Sequence, residues 1–255
     1  MSFQVLNTSG YARRGELTTK TCAVQTPVFM PVGTYGTVKG LTPEHLHDIG
    51  FEIILGNAFH LHQRPGLETI KKFNGLHDFM GWDKSILTDS GGFQIWSLND
   101  LRKISEEGVE FKSPLDGSKI FMSPEDSIDT QLTLNSDIIM AFDECTDYPS
   151  SYEDAEQSMH LTHRWTERSF DYFQKHQKGH LLFGIVQGGM HEELRKQSLA
   201  FMNNLQLDGI ALGGLSVGEP KAEKTKILKY LAPMLPENKA HYVMGVGTPE
   251  ELVEG

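Results

Sequence analysis

Seven short apolar runs occur along this chain, and each is followed by a segment with helical periodicity. The runs are nearly continuous in apolar side chains, which is typical of parallel strands that are buried on both faces of a sheet. They are PVFMPVG (27–33), FEIILGN (51–57), SILTDSG (85–91), DIIMAFDE (137–144), LLFGIVQGG (181–189), DGIALGG (208–214) and HYVMGVG (241–247). Repeated strand–helix units of this kind predict an α/β protein built on a parallel sheet.

The segments between the runs carry signals for the starts of helices. Thr42 and Ser123 each precede a proline, which places a capping side chain before a residue that suits the first helical turn. The longest candidate has acidic residues in its first turn and Lys175 and His176 in its last, as the helix dipole favours. The predicted helices are TPEHLHDIG, SPEDSIDTQLTLN, SYEDAEQSMHLTHRWTERSFDYFQKH, HEELRKQSLAFMNNL, KAEKTKILKYLAPML and TPEELVEG.

The number of units and the length of 255 residues favour a (β/α)8 TIM-type barrel, with a doubly wound sheet as the open alternative. No linker or change of composition divides the chain, so we predict a single domain over residues 1–255. The stretch 109–122 differs from the rest, because two alternating runs flank Asp116 and Gly117, and it predicts a β-hairpin inserted in a loop. A barrel closes with eight strands. We therefore expect this one to be incomplete at its C-terminus, unless N-terminal strands take part.

Charge, hydropathy and cysteine usage narrow the class of protein. The net charge of −11 argues against nonspecific binding of nucleic acid, although it leaves open a shape-specific RNA partner that engages a local patch. No apolar run reaches the ~18 residues that a membrane-spanning helix needs, and the N-terminus lacks the pattern of a secretory signal. Cys22 and Cys145 lie far apart and match no CxxC pattern. We therefore predict a cytoplasmic protein with no membrane partner, in which these cysteines make no structural zinc site.

Polar residues and glycines stand at the ends of the predicted strands. In a barrel these ends form the active site. Taken singly, each of these strand-end residues is explained by a turn or a helix cap; Asp89, for example, could cap the turn that follows it. Their convergence from six strands favours a binding site, because burying polar groups costs free energy unless they bind something. The end residues are Gly33, Thr34, Asn57, Asp89, Ser90, Asp143, Glu144, Gln187, Gly188, Gly213, Gly214, Leu215 and Gly245.

Carboxylates, amides and glycine N–H groups together match the edge of guanine, whose N1–H and amino group donate while O6 accepts. The flat apolar side chains of Phe93 and Met244 are candidates to stack on the two faces of such a base. Asp89 would then be free for acid–base chemistry. Two alternatives stay open from these residues: a glycosidase-like barrel hydrolase that uses Asp89 and Asp143, and a phosphate-binding barrel that uses GGLSVGE.

Seven ordered blocks along the chain resemble the bacterial tRNA-guanine transglycosylases, also called queuine tRNA-ribosyltransferases. The blocks are PVGTYGTVKG, ILGNAFHLHQRPG, LTDSGGFQ, FDEC, FGIVQGG, LGGLSVGEP and MGVGTPEELVEG. The resemblance implies an irregular (β/α)8 barrel. It also implies exchange of guanine at the anticodon wobble position of tRNAs for Asp, Asn, His and Tyr, which have GUN anticodons. The incoming base is 7-aminomethyl-7-deazaguanine, and the reaction is a double displacement through a covalent enzyme–RNA intermediate in queuosine biosynthesis.

The resemblance also implies roles for individual residues. Asp89 matches the acid–base aspartate, Asp143 the carboxylate that recognises the base, and Gln187 a contact to O6. The implied substrate-binding set is Ser90, Gly91, Gly92, Phe93, Asp143, Gln187, Gly214, Leu215, Glu219 and Met244. The implied RNA-binding set is Gly245, Val246, Gly247, Thr248, Pro249, Glu250 and Glu251.

Two features of the family have no counterpart in these 255 residues. The nucleophilic aspartate of the eighth strand and the zinc ligands, CxCxxC plus a histidine, would lie beyond Gly255. Zinc is therefore implied by the resemblance alone, and we expect the 255 residues by themselves not to exchange guanine. A noncatalytic transglycosylase subunit is a further alternative, which the presence of Asp89, Asp143 and Gln187 disfavours. The family is commonly homodimeric, and Phe79 resembles an interface residue, although a core position explains it equally well.

Overall fold

A parallel sheet of six strands forms the centre of the computed structural model, which describes residues 2–98 and 102–255. The strands of these residues are β1 (Phe3–Ser9), β2 (Ala12–Thr18), β3 (Ala23–Thr26), β4 (Ile53–Asn57), β5 (Ser85–Asp89), β6 (Arg102–Ile104), β7 (Val109–Lys112), β8 (Lys119–Met122), β9 (Ile138–Met140), β10 (Leu181–Val186), β11 (Gly209–Leu212) and β12 (Ala240–Val243). The helices are α1 (Pro43–Ile49), α2 (Ala58–Leu61), α3 (Leu67–Lys72), α4 (Leu76–Met80), α5 (Gly92–Trp96), α6 (Pro124–Leu134), α7 (Tyr152–His176), α8 (Glu192–Asn204), α9 (Lys221–Leu231) and α10 (Pro249–Glu254).

The order of the strands in this sheet follows their order in the chain: β4, β5, β9, β10, β11 and β12. Every neighbouring pair is parallel. A doubly wound sheet reverses its strand order at a switch point, and no reversal occurs among these strands. The fold is therefore α/β, with a parallel sheet and helices that fit a barrel-like arrangement.

Alternate side chains of the parallel strands pack into two different layers. Leu87, Met140 and Phe183 belong to one apolar cluster, together with Phe3 and Leu17 of the N-terminal strands. The intervening residues pack against helices; they include Ile54, Ile86, Ile139, Leu182, Val186, Ile210 and Leu212. The prediction that these strands are buried on both faces is confirmed, and it explains why their sequences are continuously apolar.

The predicted helix starts are also confirmed. Thr42 and Ser123 cap α1 and α6, each accepting a hydrogen bond from the backbone N–H three residues later, and a proline occupies the first turn. Gly50 and Asn135 end these two helices in the left-handed conformation, which glycine and asparagine adopt at the lowest cost.

The predicted strand at 27–33 is wrong. Only Val32 pairs there, in an isolated parallel bridge to Leu55 of β4. Pro27 and Pro31 have no backbone N–H to give to a ladder, so the apolar run remains irregular.

The N-terminal segment forms an antiparallel sheet, β1–β2–β3, that the sequence analysis did not identify. The signal was present in the alternation of Phe3 and Val5 around polar residues, and in Ser9 followed by Gly10 at the turn. Arg13 of β2 donates to the carbonyls of Glu237 and Lys239, which fixes this sheet to the start of β12.

β7 and β8 pair antiparallel over residues 109–122, and β6 adds a third strand beside β7. Among the helices in the described part of the chain, none is long and apolar enough to cross a membrane.

Candidate active site

The ends of β5, β9 and β10 bring three of the predicted site residues together. Asp89 is the last residue of β5, Asp143 follows β9 by three positions, and Gln187 directly follows β10. Because the three strands are parallel neighbours, these ends lie at the same edge of the sheet.

Asp143 is the most highly connected carboxylate at this edge. Ser90 Oγ donates to its Oδ1 at 3.1 Å, and Gln187 Nε2 donates to its Oδ2 at 2.8 Å. Only 6% of the residue is exposed. Burial raises the pKa of Asp143, and the bonds from Gln187 and Ser90 oppose that rise. Each oxygen accepts one bond and keeps a further lone pair.

Asp89 lacks comparable partners. Within residues 2–98 and 102–255 no donor contacts its buried Oδ1. Burial, followed by the nearby charge of Asp143, raises the pKa of Asp89 to about 7. Burial and the same Asp89 carboxylate also raise the pKa of Tyr242, which places the phenol in its neighbourhood. A carboxyl group with this pKa exists in both protonation states near neutrality.

Ser90, rather than Asp89, supplies the turn chemistry after β5. Ser90 Oγ accepts from the N–H of Gly92 at 3.2 Å. Gly91 adopts φ +98°, a left-handed conformation that favours glycine. A Cβ at Gly92 would lie 2.5 Å from both the carbonyl oxygen and Oδ1 of Asp143, so only glycine allows this approach. At the end of β4, by contrast, Asn57 makes a local turn contact of the predicted kind, because its Oδ1 accepts from the N–H of His60 at 3.2 Å.

The loop after β11 approaches Gln187. A Cβ at Gly214 would lie 2.4 Å from Gln187 Oε1, a buried oxygen with no donor among the described residues. Further along, Glu219 accepts from the N–H groups of Ser216 at 2.6 Å and Val217 at 2.8 Å. These bonds fix the peptides that follow Leu215, which is itself buried.

The two predicted stacking residues occupy different surroundings. Met244 lies beside the loop after β11, with its Sδ 3.5 Å from the position of a Cβ on Gly213. Phe93 lies on α5, is 43% exposed, and has its ring centroid 5.1 Å from that of Trp96. An exposed aromatic beside a strand-end site is available for stacking.

The predicted RNA-binding segment, Gly245–Glu251, forms a partly exposed loop and the start of α10. Thr248 caps this helix, and Glu251 accepts from the N–H groups of Gly247 and Thr248 at 3.4 and 3.2 Å. Glu251 also pairs with Lys224 of α9. The structure thus gives Glu251 a role in shaping the loop.

Two residues of α8 hold the site in place and were not predicted from the sequence. Arg195 of α8 is fully buried and donates to the carbonyl of Val186, which precedes Gln187, and to the carbonyl of Gly214. Ser198, one turn later, accepts from the N–H of Gln187 at 3.2 Å. The available signal was the position of Arg195 on the apolar side of the helix, next to Leu194 and four residues before Leu199.

The zinc that the family resemblance implies does not fit the described residues. In residues 2–98 and 102–255 no group of three or more His, Cys, Asp or Glu side chains is placed to hold a metal ion. Cys22 contacts Ser85 Oγ, and Cys145 is buried with a pKa raised by burial and by Asp143. No step of the chemistry is therefore assigned to zinc.

The chain is similar to known proteins along nearly its whole length. The family model described as queuine tRNA-ribosyltransferase matches residues 8–255. The chain is 59% identical over 253 residues to the queuine tRNA-ribosyltransferase of Dechloromonas aromatica (strain RCB), covering 99% of this chain and 69% of that protein. It is 55% identical over 260 residues to the protein of the same name from Herminiimonas arsenicoxydans, covering 100% of this chain and 69% of the relative. It is 57% identical over 255 residues to the queuine tRNA-ribosyltransferase of Azoarcus sp. (strain BH72), covering 100% of this chain and 69% of that protein. The chain belongs to the queuine tRNA-ribosyltransferase family.

Proposed function

We propose that this protein is a tRNA-guanine transglycosylase that exchanges guanine at the wobble position of tRNAs with GUN anticodons for 7-aminomethyl-7-deazaguanine, in queuosine biosynthesis. The observation that carries the proposal is the Asp143 carboxylate, buried and held by Ser90 and Gln187 with both oxygens still able to accept. Two adjacent acceptors of this kind match the N1–H and amino donors of guanine.

Gln187 and Gly214 complete the recognition of the base edge. The Gln187 amide gives one N–H to Asp143, and its second N–H is available for O6. Gly214 would supply a backbone N–H to the same oxygen. Adenine presents an acceptor at N1 and a donor at position 6, so it would leave Asp143 unpaired at a desolvated site, which costs roughly 1–3 kcal/mol or more.

Asp89 carries the proton transfers. As the N-glycosidic bond breaks, the nucleophilic aspartate that the family resemblance implies would bond to the ribose C1′, and the departing base takes the electron pair of the broken bond. Hydrogen bonds at O6 together with a proton from Asp89 limit the charge that develops on that base. In the second displacement the incoming base would bond to C1′, the bond between C1′ and that aspartate breaks, and the ring N–H of the incoming base returns its proton to Asp89. A pKa of about 7 suits a group that must donate and then accept near neutrality.

The remaining assignments concern the base faces, the aminomethyl group and the RNA. Phe93 and Met244 would cover the two faces of the base. The Leu215 carbonyl would face the aminomethyl group, supported by the bonds that Glu219 makes to the following peptides. The segment Gly245–Glu251 would contact tRNA near the target nucleotide through its partly exposed loop.

The same proposal extends to architecture: residues 1–255 act as one barrel-type catalytic domain. The unreversed strand order supports it, because right-handed crossovers then place all helices on one side of the sheet. A contact between the two edges of the sheet supports it too. The bridge of Val32 to Leu55 joins the segment before α1 to the β4 edge, and Gly247 follows β12 at the opposite edge. The Phe29 ring lies 2.7 Å from the position of a Cβ on Gly247, so the two edges approach each other. A homodimer is also proposed. Phe79, which packs partly against Phe73, is a candidate contact.

Binding of the free base tests the recognition step, and exchange tests the reaction. We expect the protein to bind guanine in a calorimetric titration and to bind adenine at least ~30-fold more weakly, from the cost of an unpaired carboxylate. In the full-length protein, radiolabelled guanine should enter tRNAs with GUN anticodons and be displaced by 7-aminomethyl-7-deazaguanine. Asp89→Asn should retain base binding and lose exchange.

Two results would contradict the proposal. Equal affinity for guanine and adenine would remove the role of Asp143. Release of free guanine from tRNA without incorporation of label would instead indicate a glycosidase-like hydrolase that uses Asp89 and Asp143.

A further inference from the structure

Arg195 is a buried cation with an unusual set of partners. It lies on α8 and is 0% exposed. In residues 2–98 and 102–255, arginine salt bridges are made by Arg164 and Arg168 but not by Arg195. A buried charge without a carboxylate costs several kcal/mol of desolvation, so its retention calls for a compensating set of bonds.

Among residues 2–98 and 102–255 the Arg195 guanidinium donates to four backbone carbonyls, one at the end of β10 and three in the loops that follow β10 and β11. The bonds run from Nε to Gly189 at 2.8 Å, from Nη1 to Val186 at 2.9 Å and Gly213 at 2.6 Å, and from Nη2 to Gly214 at 3.1 Å. The planar fork of arginine therefore fixes the separation of the two loops.

Two of these carbonyls belong to peptide units that matter for base recognition. The carbonyl of Val186 shares its peptide with the N–H of Gln187, which donates to Ser198 Oγ at 3.2 Å. The carbonyl of Gly213 shares its peptide with the N–H of Gly214. A cation bonded to a peptide oxygen polarises the peptide and makes its N–H a stronger donor.

The charge of Arg195 persists in this environment. Burial lowers the pKa of Arg195 to about 10, so the guanidinium stays protonated at neutral pH. The side chain also approaches the site closely, because Nη2 lies 3.2 Å from the position of a Cβ on Gly214 and Gln187 Oε1 lies 2.4 Å from the same position.

We propose that Arg195 is a positioning residue for recognition of the 6-oxo group of the base, which fixes the loops that present Gln187 and Gly214 and strengthens the Gly214 N–H as a donor. The inference deepens the proposed function and rests on it, since it concerns the same base site. Its specific consequence is that Arg195 affects contacts to O6 and leaves the contacts of Asp143 to N1–H and the amino group largely unchanged.

A comparison of guanine with 6-thioguanine tests this consequence. The thio compound keeps N1–H and the amino group but replaces O6 with sulfur, a weak hydrogen-bond acceptor. We expect the wild-type protein to bind guanine more tightly than 6-thioguanine. Arg195→Met removes the charge-assisted bonds that fix the donors to O6, so it should weaken guanine binding by about 10- to 100-fold. Binding of 6-thioguanine, whose sulfur accepts only weakly, should weaken by no more than about threefold.

Three further variants separate positioning from general effects of stability and charge. Arg195→Lys keeps the charge but not the fork, and it should also lower the guanine preference. Lys196→Met removes a neighbouring exposed cation, and Met202→Ala destabilises the same helix without touching the carbonyls; both should keep the wild-type preference. An equal loss of affinity for both bases in the Arg195 variants would overturn the proposal. A wild-type protein that binds neither base would overturn the proposed function itself, and this role with it.

A measurement on the wild-type protein covers the case in which the Arg195 variants fail to fold. With ¹⁵N-labelled arginine, the Nε–H of Arg195 should be recognised by its slow exchange with solvent. Guanine should shift this resonance, and 6-thioguanine should shift it less. An unchanged resonance at saturating guanine would contradict the role of Arg195.

Discussion

The side-chain amide of Gln187 donates a 2.8 Å hydrogen bond to Asp143 and so links the ends of two neighbouring parallel strands, β10 and β9. This bond fixes the amide orientation, because the opposite orientation would place the amide oxygen against the carboxylate. It also leaves the second amide N–H and the free lone pairs of Asp143 as a ready pattern of donor and acceptors.

Replacement of Asp143 tests this pattern directly. Asp143→Asn should weaken guanine binding by roughly 30- to 100-fold, because an amide group would place a donor against N1–H or the amino group. Titration calorimetry measures the loss, and circular dichroism should show an intact fold. Asp171→Asn, an exposed change on α7 with the same loss of charge, should bind guanine normally. A variant with a reduced folded fraction but wild-type affinity would indicate a purely structural Asp143.

The raised pKa of Asp89 predicts a pH-dependent stability. In the folded protein the pKa of Asp89 is about 7 against an ordinary value of 3.8, so the folded state holds a proton that the unfolded state has lost between these values. The free energy of unfolding should therefore fall as pH rises through this window. Asp89→Asn removes the effect and should be more stable than wild type by roughly 1–3 kcal/mol at pH 8, and by less at pH 5.

Urea denaturation of both proteins at several pH values measures this difference. Asp171→Asn again serves as the exposed control for the loss of one carboxylate. A stability difference between Asp89→Asn and wild type that stayed constant from pH 5 to pH 8 would mean that Asp89 titrates normally.

Gly92 should be intolerant of a methyl group. Its Cβ would lie 2.5 Å from Asp143 Oδ1, so Gly92→Ala must displace the carboxylate and should weaken guanine binding by about tenfold or more. Gly33→Ala is the matched control, because the nearest atoms to that Cβ lie at 3.5 Å, an ordinary contact distance. Equal guanine affinities of the two variants, measured by calorimetry, would show that Asp143 adjusts freely.

Glu219 should hold the loop after β11 in place. Glu219→Gln replaces one acceptor oxygen with an amide that faces the N–H of Ser216 or Val217, so one of these bonds must break. We expect faster hydrogen exchange of the peptide covering 214–218, by about an order of magnitude for the loss of one charge-assisted bond. Glu237→Gln, on an exposed loop, should leave that peptide unchanged. Unaltered exchange at 214–218 would show that Glu219 does not support the loop.

Much of the fold was readable from local patterns. The continuous apolar runs identified β4, β5, β10 and β11, because strands covered on both sides have no polar face. Thr42 and Ser123 marked the starts of α1 and α6 through capping chemistry, which acts within four residues. The apolar run at 27–33 predicted a strand that does not form. Pro27 and Pro31 lack the N–H groups that a ladder needs, and apolar character takes no account of this.

Local sequence patterns predict which polar side chains stand at strand ends, and they identify Asp89, Asp143 and Gln187 as site residues. Contacts between distant segments distinguish these residues: Asp143 receives two hydrogen bonds, whereas no donor in residues 2–98 and 102–255 reaches the buried Oδ1 of Asp89, and the pKa of Asp89 is raised. The same contacts place Arg195 beneath the loops that follow β10 and β11. A strand-end position follows from local chain pattern, but desolvation and hydrogen bonding depend on groups that are distant in sequence and meet only when the strands pair.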